Sequence, residues 1–139
     1  LPAEKLSDTA HEVVMAARFG RMDIVFDSVD APHREAFIEA HAEWGGKIRI
    51  LDIEYGGARL VTADRAVVLM SVAWQRVDES TLRNTSLKQT WRLGEKRWTI
   101  MKEEIAGGDD GLIREPDPDL EAKTKKVAAT GKAAATTAE

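Results

Sequence analysis

Apolar side chains recur first at helical spacing and then, from Lys47 onward, at every second position. Leu6, Ala10, Val13, Val14 and Ala17 share one face of a 3.6-residue period and follow Ser7, Asp8 and Thr9, residue types that favour a helix N-cap. This predicts a first helix that starts between Ser7 and Thr9, where Thr9-Ala10-His11-Glu12 also fits a capping box, and that ends at Gly20. Met22, Val25, Phe26 and Val29 predict a short second helix. Pro32, whose fixed φ suits a first turn, opens a third with Phe37, Ile38, His41 and Trp44 on its apolar side, and Gly45-Gly46 stops it.

After Lys47 the period falls to two, with Leu51, Ile53 and Tyr55 on one face of a strand and Asp52 and Glu54 turned to water. Gly56-Gly57 breaks this run, Ala58 to Thr62 continues extended, and Ala63-Asp64-Arg65 turns. Ala66 to Val77 is the longest strand and is apolar on both faces, so each side calls for cover. Leu87, Gln89, Trp91 and Leu93 then share a face opposite Lys88, Thr90 and Arg92. Gly94-Glu95 makes a tight return into Arg97 to Glu104, where Trp98 and Ile100 alternate with Arg97 and Thr99. Parallel strands would need crossover helices, and the pattern offers none after Gly46. The predicted class is therefore α+β, with three N-terminal helices packed on an antiparallel sheet of four or more strands.

Composition changes at the end of the last strand. Residues 107–111 read as a flexible link, and six acidic residues (Asp109, Asp110, Glu115, Asp117, Asp119, Glu121) face a single cation, Arg114, before an alanine-, lysine- and threonine-rich end. Few large apolar residues remain there to offset the entropy of ordering. The chain divides on this basis into a domain at 1–106 and a flexible tail at 107–139. The 139 residues suit one core. The absence of cysteine removes disulfides and thiolate chemistry. A net charge of -4 supplies no basic field for nucleic acid, which is not an expected partner. No stretch approaches the ~20 apolar residues of a transmembrane helix. A start at Leu1-Pro2 implies removal of an export leader or trimming of a longer chain, and the expectation is an exported bacterial protein, periplasmic or envelope-associated.

The short helices around Gly20-Arg21-Met22-Asp23, the helix led by Pro32, the long central strand and the closing Gly94-Glu95-Lys96-Arg97-Trp98-Thr99-Ile100 resemble the nuclear transport factor 2-like superfamily. That superfamily includes ketosteroid isomerases and polyketide cyclases. The resemblance covers Ser7 to Glu104 and rests on element order and pattern. It implies a strongly curved, cone-shaped sheet, for which a cystatin-like α+β roll is the alternative outline. It also implies an interior pocket where Asp, His or Tyr serves as acid or base, and a homodimer formed through the sheet. The face bearing Val68, Met70, Val72 and Trp74 is the expected dimer face.

Few residues fit the implied pocket. His41 lies on the apolar side of its helix with Phe37 and Trp44 and points inward, as a hydrogen-bonded core histidine or as a base. Gln89 lies between Leu87 and Trp91, and its buried amide either holds a ligand or satisfies neighbouring backbone or Ser71. Tyr55, beside the glycine pair, forms a pocket lip or keeps its hydroxyl in water. Trp91 completes the candidate wall. No inward carboxylate is evident, since Asp52 and Glu54 face water and Asp64 sits in a turn. His33 and His41 are eight residues apart, which does not suit a helical metal chelate, and neither metal nor cofactor is expected. The expected function is a non-catalytic domain that binds a small apolar ligand or another protein. The alternative is a cofactor-free isomerase, cyclase or dehydratase with His41 as base and Gln89 or Tyr55 as donor.

Overall fold

The computed structural model describes residues 2–114. Helix α1 spans Pro2–Arg18, α2 Met22–Asp27, a 3-10 turn Ala31–His33 leads into α3 Arg34–Ala40, and four strands follow: β1 Ile48–Thr62, β2 Arg65–Arg76, β3 Arg83–Leu93 and β4 Trp98–Gly108. The strands form one antiparallel open sheet in the order β1-β2-β3-β4, so the class is α+β with the helices grouped before the sheet. Helix α1 begins earlier than its capping residues suggest, because Pro2 already suits a first helical turn. Among the described residues no helix is long and apolar enough to cross a membrane.

One face of the sheet carries the core. Leu6, Ala10, Val13, Val14 and Ala17 of α1 pack, chiefly over β1, against an inner layer that includes Ile48, Ile53, Val68, Val72, Leu87 and Ile100, all buried. Val68, Met70, Val72 and Trp74 belong to this inner layer, and Trp74 donates its indole N–H to Thr85 Oγ1 at 2.9 Å. These four residues are therefore unavailable as a dimer face, which corrects the expectation from sequence. Two apolar faces of one strand could not be ranked by periodicity, whereas the helices cover only one of them. The open face shows why β2 tolerates exposure on its other side. Leu69, 45% exposed, pairs with Lys88, and Val67 lies between Arg59 and Thr90. Long charged side chains beside apolar ones supply aliphatic cover without a second layer.

Gly56-Gly57 does not end β1. A register shift between Tyr55 and Ala58 absorbs the pair as a bulge, and a Cβ at Gly56 would lie 2.9 Å from the Leu69 carbonyl oxygen. The free edge of β4 is covered by the chain that leaves α2. Ile100 donates its N–H to the Ser28 carbonyl at 2.8 Å, and Asp30 donates to the Ile100 carbonyl at 2.9 Å, so a short parallel bridge extends the sheet.

The boundary drawn at residue 106 also changes. Strand β4 runs to Gly108, and the segment 109–114 turns back over the fold to bury Leu112 at 1% exposure. Gly108 has φ +83 and lies so close to the Asn84 carbonyl that a Cβ there would sit 2.4 Å from its oxygen. The glycines taken for a flexible link thus permit a specific turn. Thr85 Oγ1 donates to the Asp109 carbonyl at 2.6 Å, Trp44 Nε1 to the Leu112 carbonyl at 2.8 Å, and Arg114 N–H to the Ala40 carbonyl at 3.0 Å. The expectation for the remaining tail, 115–139, lies outside the described residues. Leu112→Ala should lower stability by about 2–5 kcal/mol, as for other buried leucines. Urea unfolding measures it, and a midpoint equal to the parent's would return the domain boundary to residue 106.

Candidate functional site

Between the helices and the sheet, four polar side chains from three elements form one continuous hydrogen-bonded chain. His41 is the C-cap of α3, and its Nδ1 lies 2.7 Å from the Phe37 carbonyl oxygen. Its Nε2 lies 2.6 Å from Glu103 Oε1 on β4. The other carboxylate oxygen of Glu103 accepts from Gln89 Nε2 at 2.6 Å, and Gln89 Oε1 accepts from Trp91 Nε1–H at 2.9 Å, both on β3. The side chains of His41 and Glu103 are 2% and 4% exposed.

Donor chemistry orients the whole chain. An indole N–H only donates, so the amide oxygen of Gln89 must face Trp91 and its NH₂ must face Glu103. A peptide carbonyl only accepts, so His41 Nδ1 carries a proton toward Phe37. With Glu103 ionised, Nε2 must carry one as well, and the histidine is then an imidazolium. Burial alone would push the His41 pKa down, but the charge of Glu103, its hydrogen bond and the Phe37 carbonyl together raise it above the usual 6.5. Phe37 stacks on the imidazole at 4.1 Å between ring centroids, and Phe26 and Trp44 meet its edge at 6.4 and 4.9 Å. Little free space remains beside the pair. The void bordered by Met22, Trp44, Met70, His41 and Glu103 measures about 10 Å³, which holds at most one water.

Three of the four pocket candidates, His41, Gln89 and Trp91, are thus brought together. Tyr55 is not among them. Half-buried on β1, it places its hydroxyl 3.5 Å from Ser7 Oγ and its ring edge-on to His11. Ser71, considered as the partner of Gln89, instead donates to Asn84 Oδ1. The residue that sequence reasoning missed is Glu103, and its inward side chain corrects the expectation of an interior without a carboxylate. The cause is a bulge. Trp91 pairs with Ile100 but Thr90 pairs with Lys102, so Met101 is an extra residue that reverses which side chains of β4 face inward. Strict alternation from Trp98 and Ile100 would have set Lys102 beside Gln89 and His41. One signal was available: two inward polar groups on different elements, His41 and Gln89, both require a partner.

An open groove of about 500 Å³ lies on the other side of Met22 and Trp44. Its floor includes Ile48 and Ile50, its rim includes exposed Phe19 and Val77, and Arg18 and Arg49 line it. Arg18 is held by Asp52 at 3.0 Å. Ala17, Met22 and Trp44 border both spaces, so they form the wall that separates the groove from the buried pair. Among the described residues no cluster of three or more potential metal ligands occurs.

No family model matches the chain, and no curated protein matches it. The fold is similar to the solution structure of a SEC-C motif containing protein from Rhodopseudomonas palustris, with a TM-score of 0.54 and 16% identity over 67% of this chain and 72% of that one. At that identity the likeness defines the class of fold, an α+β domain with an open four-stranded antiparallel sheet.

Glu103→Gln should destabilise the fold by about 3–5 kcal/mol, because it leaves a buried cation without its counter-charge. The pH dependence has a definite sign. A histidine whose folded pKa lies above its unfolded value contributes fully below about pH 6.5, and the contribution fades as pH rises through the folded pKa. The gap between parent and variant in urea should therefore narrow from pH 6 to pH 9. A gap that widens over this range would show that the pair is not held as imidazolium and carboxylate.

Proposed function

We propose that this is a non-catalytic binding domain of nuclear transport factor 2-like type, in which a small apolar ligand occupies the groove against Trp44 and Met22. The contrast between the two spaces carries this reading. Ligand sites generally span about 300–1,000 Å³, and the volume of the groove, whose walls mix apolar side chains with Arg18 and Arg49, falls in that range while the space at the buried pair does not. A substrate must approach within hydrogen-bond reach of a general base, and neither Glu103 nor His41 offers such an approach behind the closed wall. The cone-shaped curvature expected from the resemblance is part of this proposal, with the groove at the open end. Self-association belongs to it only through the open face of the sheet, where Val67, Leu69 and Ala73 lie, since the opposite set is core.

The second reading, a cofactor-free isomerase, cyclase or dehydratase, draws on the buried carboxylate and imidazole themselves. A carboxylate in an apolar setting beside a positioned donor is a recurrent arrangement for abstracting a proton next to a carbonyl. In that case Glu103 replaces His41 as the base, with His41 and Gln89 as its partners.

A titration followed by NMR separates the two. Ketosteroid, polyketide-like and short enone probes should move the Trp44 indole and Met22 methyl signals and remain chemically unchanged, and Met22→Arg should abolish the shifts. Turnover of any probe that is lost in both Glu103→Gln and His41→Ala, with folding retained, would transfer the assignment to the enzyme.

A further inference from the structure

We propose that His41 and Glu103 form a proton-operated latch that holds the end of the C-terminal segment, 112–114, closed on α3 and loosens it when the pair loses one proton. The inference goes beyond ligand binding and does not depend on it. Its basis is a donor count. Both ring nitrogens of His41 face acceptors, the Phe37 carbonyl at 2.7 Å and the Glu103 carboxylate at 2.6 Å. With one proton removed, only one of these contacts keeps a hydrogen. The other becomes two lone pairs pressed together in a site with almost no water, an arrangement that costs far more than an ordinary lost hydrogen bond. Whichever tautomer forms, His41 must shift away from α3 or from β4.

The surroundings leave this strain no local outlet. No ionisable side chain from α1, α2, β2 or β3 lines the void beside the ring, and Glu103 of β4 is the charged group that meets it. Glu39 and Glu43, on the same stretch as His41, are turned to Arg114 at 2.7 and 3.8 Å, and Glu43 also meets Arg76 at 3.4 Å. They therefore offer His41 no replacement counter-charge.

Asp109 stays held by Thr85 and Asn84 of β3, whereas two anchors of the segment's far end, 112–114, lie beside His41. Ala40, which accepts the Arg114 N–H, directly precedes His41 in the chain. Trp44, which donates to the Leu112 carbonyl, packs its ring edge-on to the imidazole at 4.9 Å. A shift of His41 displaces both supports at once and exposes Leu112. Because Glu103 holds the imidazole pKa above 6.5, the latch is closed at that pH and opens on the alkaline side.

The test is an NMR pH titration of the whole chain from pH 5 to 10, following the His41 ring, the Trp44 indole N–H and the Arg114 amide. All three should change with one midpoint. Above it the exchange protection of the Arg114 amide, normalised to its intrinsic rate, should fall by about two- to tenfold, the worth of one hydrogen bond. Glu103→Gln, whose amide can donate to the unprotonated Nε2 while still accepting from Gln89, removes the clash, so the alkaline loss of Arg114 protection should disappear. The proposal is overturned if His41 titrates while Arg114 and the Trp44 indole stay silent, or if His41 keeps one state across the range. It is equally overturned if Glu103→Gln loses Arg114 protection on the alkaline side as the parent does. Should that variant fail to fold, the parent titration still decides.

Discussion

A carboxylate inside an apolar core is the constraint on which the interior depends. Desolvating Glu103 costs several kcal/mol unless a cation and further donors answer it, and the fold supplies both, from His41 and Gln89. Each answer creates a new requirement. The imidazole Nδ1–H needs an acceptor, which is the last turn of α3, and the amide oxygen needs a donor, which is the Trp91 indole. The end of one helix and the middle of two strands are thereby set in a single mutual geometry. Apolar packing alone specifies position loosely, because aliphatic surfaces slide over each other at little cost, whereas hydrogen bonds of 2.6 to 2.9 Å do not.

The one-residue bulge at Met101 makes that network possible. Without it the β3–β4 hairpin would present Lys102 to a neighbourhood that already holds His41, and a buried ammonium would stand there without a counter-charge. With it, apolar Trp98 and Ile100 face inward on one side of the irregularity and Glu103 on the other. The bulge therefore exchanges a cation for an anion at the centre of the protein while the turn at Gly94-Glu95 keeps its register.

The same network reaches the end of the described chain. Trp44 joins the aromatic surroundings of His41 to Leu112, and Thr85 links the Trp74 indole to the Asp109 carbonyl. Segment 109–114 thus closes the core beside α3 and belongs to the domain. It also places the groove wall, the buried pair and the C-terminal segment within one set of contacts.

The sequence by itself determined the order and type of the elements, the α+β class, the inward direction of His41 and Gln89 and a return near Gly94, which takes the four residues 94–97 where two were expected. These follow from periodicity and local backbone preference, which act within a few residues. Only the tertiary structure decided which face of β2 the helices cover, because Val68 and Leu69 are equally apolar and differ only in what lies above them. It alone decided that residues 109–114 pack, since the composition that resembles a link is also what a glycine turn with φ +83 requires. And it alone placed Glu103 inside. A side chain's face depends on strand parity, and a single extra residue reverses parity without any local mark in the letters Met101-Lys102-Glu103-Glu104.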